Sequence, residues 1–375
     1  MKILVLTKRQ YMGKDLLDDH FGRFWELPQE LARRGHEVQG IALSYRRRSD
    51  DPLPSWSIDS GTGSVAWHAV NLLDGSWPRP RQYFRLARQV INDFQPEVIW
   101  ACSDAFHVIF GQRLAKESSA KLIVDLYDNF ESYPATRTPG VMPLFKRAVR
   151  AAGGITCVSS QLADYAADRY HSRAPALILE NAVRTDLFYP MERERCRAEL
   201  GLPRAAKIVG TAGALYASRG VDALIRGFAL LAAEDINLHL ALAGTRPRHN
   251  SIPRGNLTHD LGVLPLGKVP AFFNALDVAV IYNRDSSFGR YNFPQKAREI
   301  MACGTALVAA DIGSMRQILR DHRECLFAPD DPASLAAAVR RQLANPTGID
   351  RTVPTWSDLA AQLEIFFLTV LRSRA

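Results

Sequence analysis

KIVGTAGALYASRGVDALIRGFALLAAEDINLHLALA, residues Lys207 to Ala243, carries the fold in one stretch. An apolar run, Lys207–Gly213, reads as a strand. An amphipathic segment, Val221–Ala233, reads as a helix, and a second apolar run, Leu238–Ala243, reads as another strand. Two apolar strands joined by a helix form a βαβ unit, whose strands lie parallel and are buried on both faces. Downstream the rhythm continues, with strands expected at Val278–Tyr282, Ala306–Ala309 and Glu324–Phe327. Helices fall between them at Pro270–Leu276, Pro294–Cys303 and Pro332–Leu343.

Upstream the same alternation runs from the first residue. Strands are expected at Ile3–Leu6, Glu37–Leu43, Val65–Val70, Val98–Ala101, Leu122–Leu126, Ile155–Val158 and Ala176–Leu179, with a helix at Phe21–Arg34. A charged, Pro-flanked stretch around Phe188–Arg204 interrupts the pattern and reads as a linker. The expected organisation is therefore α/β: a doubly wound domain over 1–187, a linker at 188–206, and a second such domain over 207–355. A last helix over 356–375, with Leu359, Leu363, Phe366 and Phe367 on one side, is expected to return to the first domain. No G-x-G-x-x-G follows the first strand of either array. Two doubly wound domains are expected to face a central cleft, with ligand at the carboxyl ends of their strands.

Composition fits this reading. The chain has 375 residues, 47% of them hydrophobic and 23% charged, which excludes a disordered or low-complexity scaffold. The net charge of +8 divides evenly between the two halves, so no polybasic arm is present and nucleic acid is not an expected partner. Five scattered cysteines without a C-x-x-C, and a five-residue apolar run at the N-terminus, predict a soluble, cytoplasmic protein without disulfides or a zinc ribbon.

The segment with the most chemistry is YNFPQKAREIMACGTALVAAD, Tyr291 to Asp311. Asn292 and Gln295 fit a capping box, and Gly304 fits a helix stop. Lys296 and Glu299, three apart, project from one helix face, and Glu299 enters apolar surroundings where a carboxylate needs a partner. A surface ion pair of Arg298 and Glu299 is the plainer alternative.

This segment resembles the family 4 retaining glycosyltransferases of the GT-B fold. The run Glu299–Ala309 is similar to the family's E-A/Y-M-A-x-G-x-P-V-V-A, and Pro294, Lys296 and Glu299 reproduce its P-x-K-x-x-E variant. The resemblance implies that Glu299 holds the ribose hydroxyls of a nucleotide. The first Glu of the family's E-x7-E is Tyr291 here, so the donor-sugar contact is altered, leaving the backbone N–H groups of Asn292 and Phe293 to approach the sugar. The turn Gly213–Gly220 is similar to the family's G-R-L-x-x-x-K-G. Gly213 would permit close backbone approach, and Arg219, with Gly220, would bind the diphosphate. The usual Arg is Ala214 in this chain, and Lys296 is the candidate replacement. Gly267, in a P-loop lookalike that lacks the final hydroxyl, matches a turn lining the base; Arg246 and Arg248 fall near the same place. LENAVRTDLFYP, Leu179 to Pro190, is similar to the family's entry to the second domain.

In the first domain, Val124–Glu131 resembles the family's D-x-H-D strand end. Asp125 and Asp128 match, and Tyr127 stands at the His position. Asp128 or Glu131 would either orient an acceptor hydroxyl or cap a helix. His20 and Gly22, in the long loop after the first strand, are acceptor-side candidates.

The chain has no D-x-D. The resemblance therefore implies a metal-independent, retaining hexosyltransferase without cofactor, with Arg219, Lys296 and Asp128 as its catalytic set. Its donor would be a GDP- or UDP-linked nucleotide sugar, its acceptor a glycan or lipid-linked saccharide of cell-surface polysaccharide or glycolipid biosynthesis. Basic residues Arg46–Arg48 and Lys146, Arg147 and Arg150, with Leu144 and Phe145, would either touch an anionic membrane surface or form a solvated face. Two other readings stand beside this one: a GT-B sugar-nucleotide epimerase, and a catalytically weak glycan-binding or scaffolding relative.

Overall fold

A computed structural model describes residues 1–11, 13–46, 56–59, 62–74, 77–78, 80–246, 255–350 and 352–373. The chain divides into two compact units, Met1–Glu180 with Trp356–Ala375, and Asn181–Thr355.

The first unit is built on a sheet of eight strands: β1 (Lys2–Lys8), β2 (Glu37–Ser44), β3 (Trp56–Asp59), β4 (Ser64–Asn71), β5 (Val98–Ala101), β6 (Lys121–Leu126), β7 (Gly154–Cys157) and β8 (Ala176–Ile178). Their spatial order is β8-β7-β6-β5-β1-β2-β4-β3, parallel throughout except for β3, which runs antiparallel to β4. The order reverses between β1 and β5, so the carboxyl ends of these two strands form the switch point. The unit's helices are α1 (Arg23–Arg33), α2 (Pro80–Phe94), α3 (Ala105–Lys116), α4 (Val141–Arg150) and α5 (Ser160–Tyr170).

The second unit begins with α6 (Arg193–Leu200) and then alternates. Its strands are β9 (Lys207–Ala212), β10 (Leu238–Ala243), β11 (Thr258–Asp260), β12 (Val278–Ile281), β13 (Ala306–Ala310) and β14 (Leu326–Phe327). The helices are α7 (Val221–Ala232), α8 (Val269–Ala275), α9 (Gln295–Cys303), α10 (Gly313–Ile318) and α11 (Pro332–Ala344). The sheet is fully parallel in the order β11-β10-β9-β12-β13-β14, a doubly wound order with its switch point between β9 and β12. Successive residues of β9 and β12 fall into different cores. Ile208, Ala279 and Ile281 pack with α8 and α9, while Val209, Val278 and Val280 pack with α7 and α11. Burial on both faces explains why these strands read as unbroken apolar runs.

The last helix, α12 (Trp356–Arg372), lies in the first unit and packs on α1. Leu359, Leu363, Phe366 and Phe367 are buried, as their spacing predicts. Phe367 meets Trp100 edge-on at 5.9 Å, and Glu364 accepts from His36 at 3.0 Å.

Three expectations are corrected. The stretch 188–206 is not a spacer: Phe188, Cys196 and Leu202 are core residues of the second unit. Its charge misleads because Arg197, only 4% exposed, is consumed internally, donating to the carbonyls of Ala275, Arg204 and Ala206 and to Asp277. The strand expected at Glu324–Phe327 keeps only Leu326–Phe327, because Arg323–Cys325 form a 3-10 turn. Strand β11 was not anticipated; it is three residues long and only partly buried, leaving no strong apolar signal.

Candidate functional site

In the second unit, the candidates gather at the carboxyl ends of β9 and β12. Gly213 follows β9 with φ +126, a conformation L side chains rarely adopt. A Cβ there would lie 3.1 Å from the Lys296 Nζ, so the lysine reaches back over the β9 turn. Gly244, after β10, is packed so closely that its Cβ would overlap the Gly213 carbonyl, and the Gly213 N–H donates to Ala243 at 2.8 Å. The two glycines let adjacent strand ends close on each other. Gly244 was not singled out in the sequence, since a lone Gly after a strand carries no local sign of what presses against it.

Arg219 ends a 3-10 turn, Ala217–Arg219, and Gly220 enters α7 with φ +100. Arg219 therefore immediately precedes the helix N-cap Gly220, and the first N–H groups of such a helix lack intrahelical partners. The Arg219 Cζ lies 3.2 Å from the centroid of the Phe288 ring.

Helix α9 supplies Lys296 and Glu299. Gly304 ends it in the left-handed conformation, φ 72, as expected. The capping box does not form: Pro294 is the N-cap, and the Gln295 amide instead donates to Glu299 Oε1 at 3.1 Å. The Asn292 N–H is engaged as well, donating to the Phe288 carbonyl at 3.1 Å, so it belongs to a turn and does not point outward for a sugar. The Asn292 carbonyl accepts from Ser314 at 3.0 Å; the Phe293 side chain is buried and its carbonyl accepts from Asn181 at 3.2 Å. Tyr291 begins this short connection.

Burial raises the Glu299 carboxyl to about 7, against the pull of Lys296 and the Gln295 hydrogen bond. Burial likewise lowers Lys296 to about 8; Glu299 opposes that shift and Arg219 adds to it. Lys296 thus lies within electrostatic reach of both Glu299 and Arg219, and perturbed ionisations of this kind cluster at binding and catalytic sites. Tyr282, just after β12, lies with its ring 5.5 Å from Lys296 Nζ and donates its hydroxyl to the Ala214 carbonyl at 3.0 Å.

Arg246 is ion-paired with Asp260 on β11, while Gly267 lies in a 3-10 turn with open space where a Cβ would be. Arg248 falls outside the described residues, as do Arg47 and Arg48.

In the first unit, the switch point between β1 and β5 gathers residues the sequence did not connect. Lys8 ends β1, and its N–H donates to Ser103 Oγ at 2.9 Å. Its ammonium donates to the Tyr127 hydroxyl at 3.2 Å and lies within 5.7 Å of the centroids of the Tyr127 and Tyr133 rings. Tyr133 donates to Asp128 Oδ2 at 2.6 Å. Asp104 accepts from Tyr45 at 3.0 Å and meets His107 at 2.8 Å. Burial lowers the Lys8 pKa, while Asp104 and Asp128 raise it. Lys8, Ser103 and Tyr133 lie far apart in sequence, and only a cation directly after the first apolar strand gave a usable signal.

Asp128 does not cap a helix. Asn129 does so, accepting the Glu131 N–H at 3.2 Å, whereas Asp128 sits in the tyrosine network. Asp125 is a core residue: fully buried, it pairs with buried Arg23 at 3.1 Å and accepts from Thr156 at 2.5 Å. His20 ends a helical turn at φ 50 and stacks on Trp25 at 4.1 Å, while Gly22 is the N-cap of α1, φ 83. Both shape the loop entering α1. Phe145 is fully buried against Phe130 and Tyr170, which removes it from any membrane-facing surface; Leu144 remains exposed. Lys146 is paired with Glu131 at 3.5 Å. No helix among the described residues is long and apolar enough to cross a membrane.

Two doubly wound units, each a mainly parallel sheet with helices, define a two-domain Rossmann-like α/β protein. The family description "Glycosyltransferase Family 4" matches residues 23–187, and "Glycosyl transferases group 1" matches residues 206–345. The chain belongs to the family 4 glycosyltransferases of the GT-B fold. It is 31% identical over 175 residues to a D-inositol 3-phosphate glycosyltransferase of Thermomonospora curvata, covering 42% of this chain and 39% of that one. A protein of the same description from Geodermatophilus obscurus is 29% identical over 273 residues, covering 66% and 57%. The matches thus span about half the length of these curated relatives. Among solved structures, sucrose-phosphate synthase from Thermosynechococcus elongatus superposes with a TM-score of 0.76 at 19% identity, covering 98% of both chains. Anabaena HepE in complex with UDP gives 0.67 at 17% identity, covering 99% of this chain and 98% of that one. These structural likenesses establish the fold.

Proposed function

We propose that the protein is a retaining, metal-independent glycosyltransferase. It would move a hexose from a UDP- or GDP-linked nucleotide sugar to a glycan or lipid-linked saccharide, in the making of a cell-surface polysaccharide or glycolipid. The observation that carries this reading is the convergence of Arg219, Lys296 and Glu299 on the β9–β12 switch point of the second unit. Glu299 accepts two ribose hydroxyls, a charge-assisted pair of bonds. Arg219 and Lys296 meet the diphosphate and the negative charge that grows on it as the sugar departs. The acceptor oxygen bonds to the anomeric carbon on the face from which the diphosphate leaves; the C1–O bond breaks towards the phosphate, which carries off the acceptor's proton. HepE, of like fold, holds UDP, which favours a uridine nucleotide as the first donor to try. The Lys8–Tyr127–Tyr133–Asp128 network serves the acceptor side, offering hydroxyls, a carboxylate and a cation.

A thermal-shift screen against UDP, GDP, ADP and their sugars tests the donor reading, since a ligand bound only by the folded state raises the melting temperature. Failure of every nucleotide to stabilise the chain would sink it. Mass spectrometry then separates transfer from isomerisation: a changed nucleotide sugar in the absence of acceptor supports an epimerase instead.

The ionisations add a pH signature. Glu299 gains its charge as pH rises through about 7, and Lys296 loses its charge as pH rises through about 8. UDP-glucose affinity is therefore expected to be greatest between these values and to fall on either side. Calorimetric titrations from pH 6 to 9, a range chosen at roughly one unit beyond each value, check this. A flat profile would mean that neither group faces the ligand. Glu299→Gln should remove the acid limb and, because the Glu299 charge holds Lys296 up, move the basic limb to lower pH.

A further inference from the structure

The two cations of the second unit's site both rest on aromatic rings, and both rings come from the connection between β12 and α9. Tyr282 opens that connection beside Lys296, and Phe288 lies in its middle beneath Arg219. At 3.2 Å from the ring centroid, Arg219 Cζ sits on the face of Phe288; an in-plane approach at that distance would overlap ring carbons.

The segment carrying Phe288 is braced. Gly289 N–H donates to Ser286 Oγ at 3.1 Å, Arg290 N–H to the Ser286 carbonyl at 2.9 Å, and Asn292 N–H to the Phe288 carbonyl at 3.1 Å. Gly289 has no room for a Cβ, because the Arg284 carbonyl occupies the place. Arg284 in turn packs against Gly220, where a Cβ would meet its Cγ at 3.3 Å, and pairs with Asp330 at 3.1 Å. One connection therefore supports both residues of the Arg219–Gly220 turn.

The choice of an aromatic support has a chemical consequence. Stacking on a ring fixes the guanidinium plane without itself using an N–H, since the donors project from the edges of that plane. We propose that Phe288 is the positioning residue for Arg219, holding its guanidinium in the orientation that receives a nucleoside diphosphate. This rests on the reading that Arg219 meets the diphosphate.

The test is a double-mutant cycle on the full chain, read as the dissociation constant for UDP, GDP and ADP in parallel, with the tightest nucleotide carried forward. Phe288→Ala and Phe288→Leu are each expected to weaken binding about 3- to 30-fold, the range of a cation–π contact. Phe288→Tyr should bind within about twofold of the parent, because the ring face is kept. In an Arg219→Ala background, Phe288→Ala should cost nothing further. Full additivity in that cycle, or parental affinity in Phe288→Leu, overturns the proposal. Parental affinity in Arg219→Ala overturns the diphosphate reading itself, and the positioning role with it. Melting temperatures without nucleotide separate a folding defect from a binding one, and the Leu and Tyr variants keep the test decisive if Ala unfolds the loop.

Discussion

Replacing Glu299 with Ala is expected to weaken binding of the preferred nucleotide about 10- to 100-fold, the effect of losing hydrogen bonds to a charged acceptor. The carboxylate is 8% exposed and lies one helical turn from Lys296, with the Gln295 amide on one oxygen. Burial that raises its pKa to about 7 also strengthens each bond it makes when charged, because little water competes. Calorimetry with UDP and GDP at pH 8 measures the effect directly. The fold should survive, because the apolar neighbours Ile300, Met301 and Cys303 keep α9 in its core. A variant that melts like the parent and binds nucleotide like the parent would remove Glu299 from the site. The same variant should lose transfer to any acceptor in proportion to its loss of donor binding.

Asp125→Ala is expected to produce the largest loss of stability. Both Asp125 and Arg23 are fully buried, and removing one partner of such a pair costs about 3–5 kcal/mol because the other charge stays behind. Thr156 would lose its acceptor at the same time. For a unit of this size, that corresponds to a fall of about 6–20 °C in melting temperature. Nucleotide binding, which we propose for the second unit, should be kept at temperatures where the first remains folded. Circular dichroism melts and nucleotide titration of the same sample check both halves of the expectation. A melting temperature within about 2 °C of the parent would mean that the pair contributes no more than an exposed one.

These two carboxylates show how differently the sequence speaks about site and core. The placement of Glu299 was legible because its information is local: Lys296, Glu299 and Gly304 sit on one helix and its stop, and the run into β13 carries the family pattern. Asp125 looked equally local, matching a strand-end motif, yet its partner Arg23 lies 102 positions away. No short-range pattern reveals that a strand residue's side chain turns into the core to meet a helix from another part of the chain. The capping box failed for a similar reason. Asn292 and Gln295 have the right spacing, but the turn back to Phe288 and the buried Glu299 offer their polar groups other partners.

The first unit's candidates show a different contrast. His20 and Gly22 were singled out for standing in the first loop, where the structure uses them to stack on Trp25 and to start α1. Lys8, Ser103 and Tyr133 went unnoticed because each belongs to a different βα connection. They become neighbours only once β1, β5 and β6 lie side by side.

By itself the sequence determined the two βα arrays, most of the strands within them, and the helix bearing Lys296 and Glu299. Hydrophobic period and turn chemistry act over a few residues, and they suffice for that. Tertiary structure alone decided that the Phe188–Arg204 stretch is core, that Asp125 is a buried partner, and that Arg219 lies on Phe288. Those outcomes depend on burial and on which strand ends the switch points bring together, and both follow from the order of strands in the sheets.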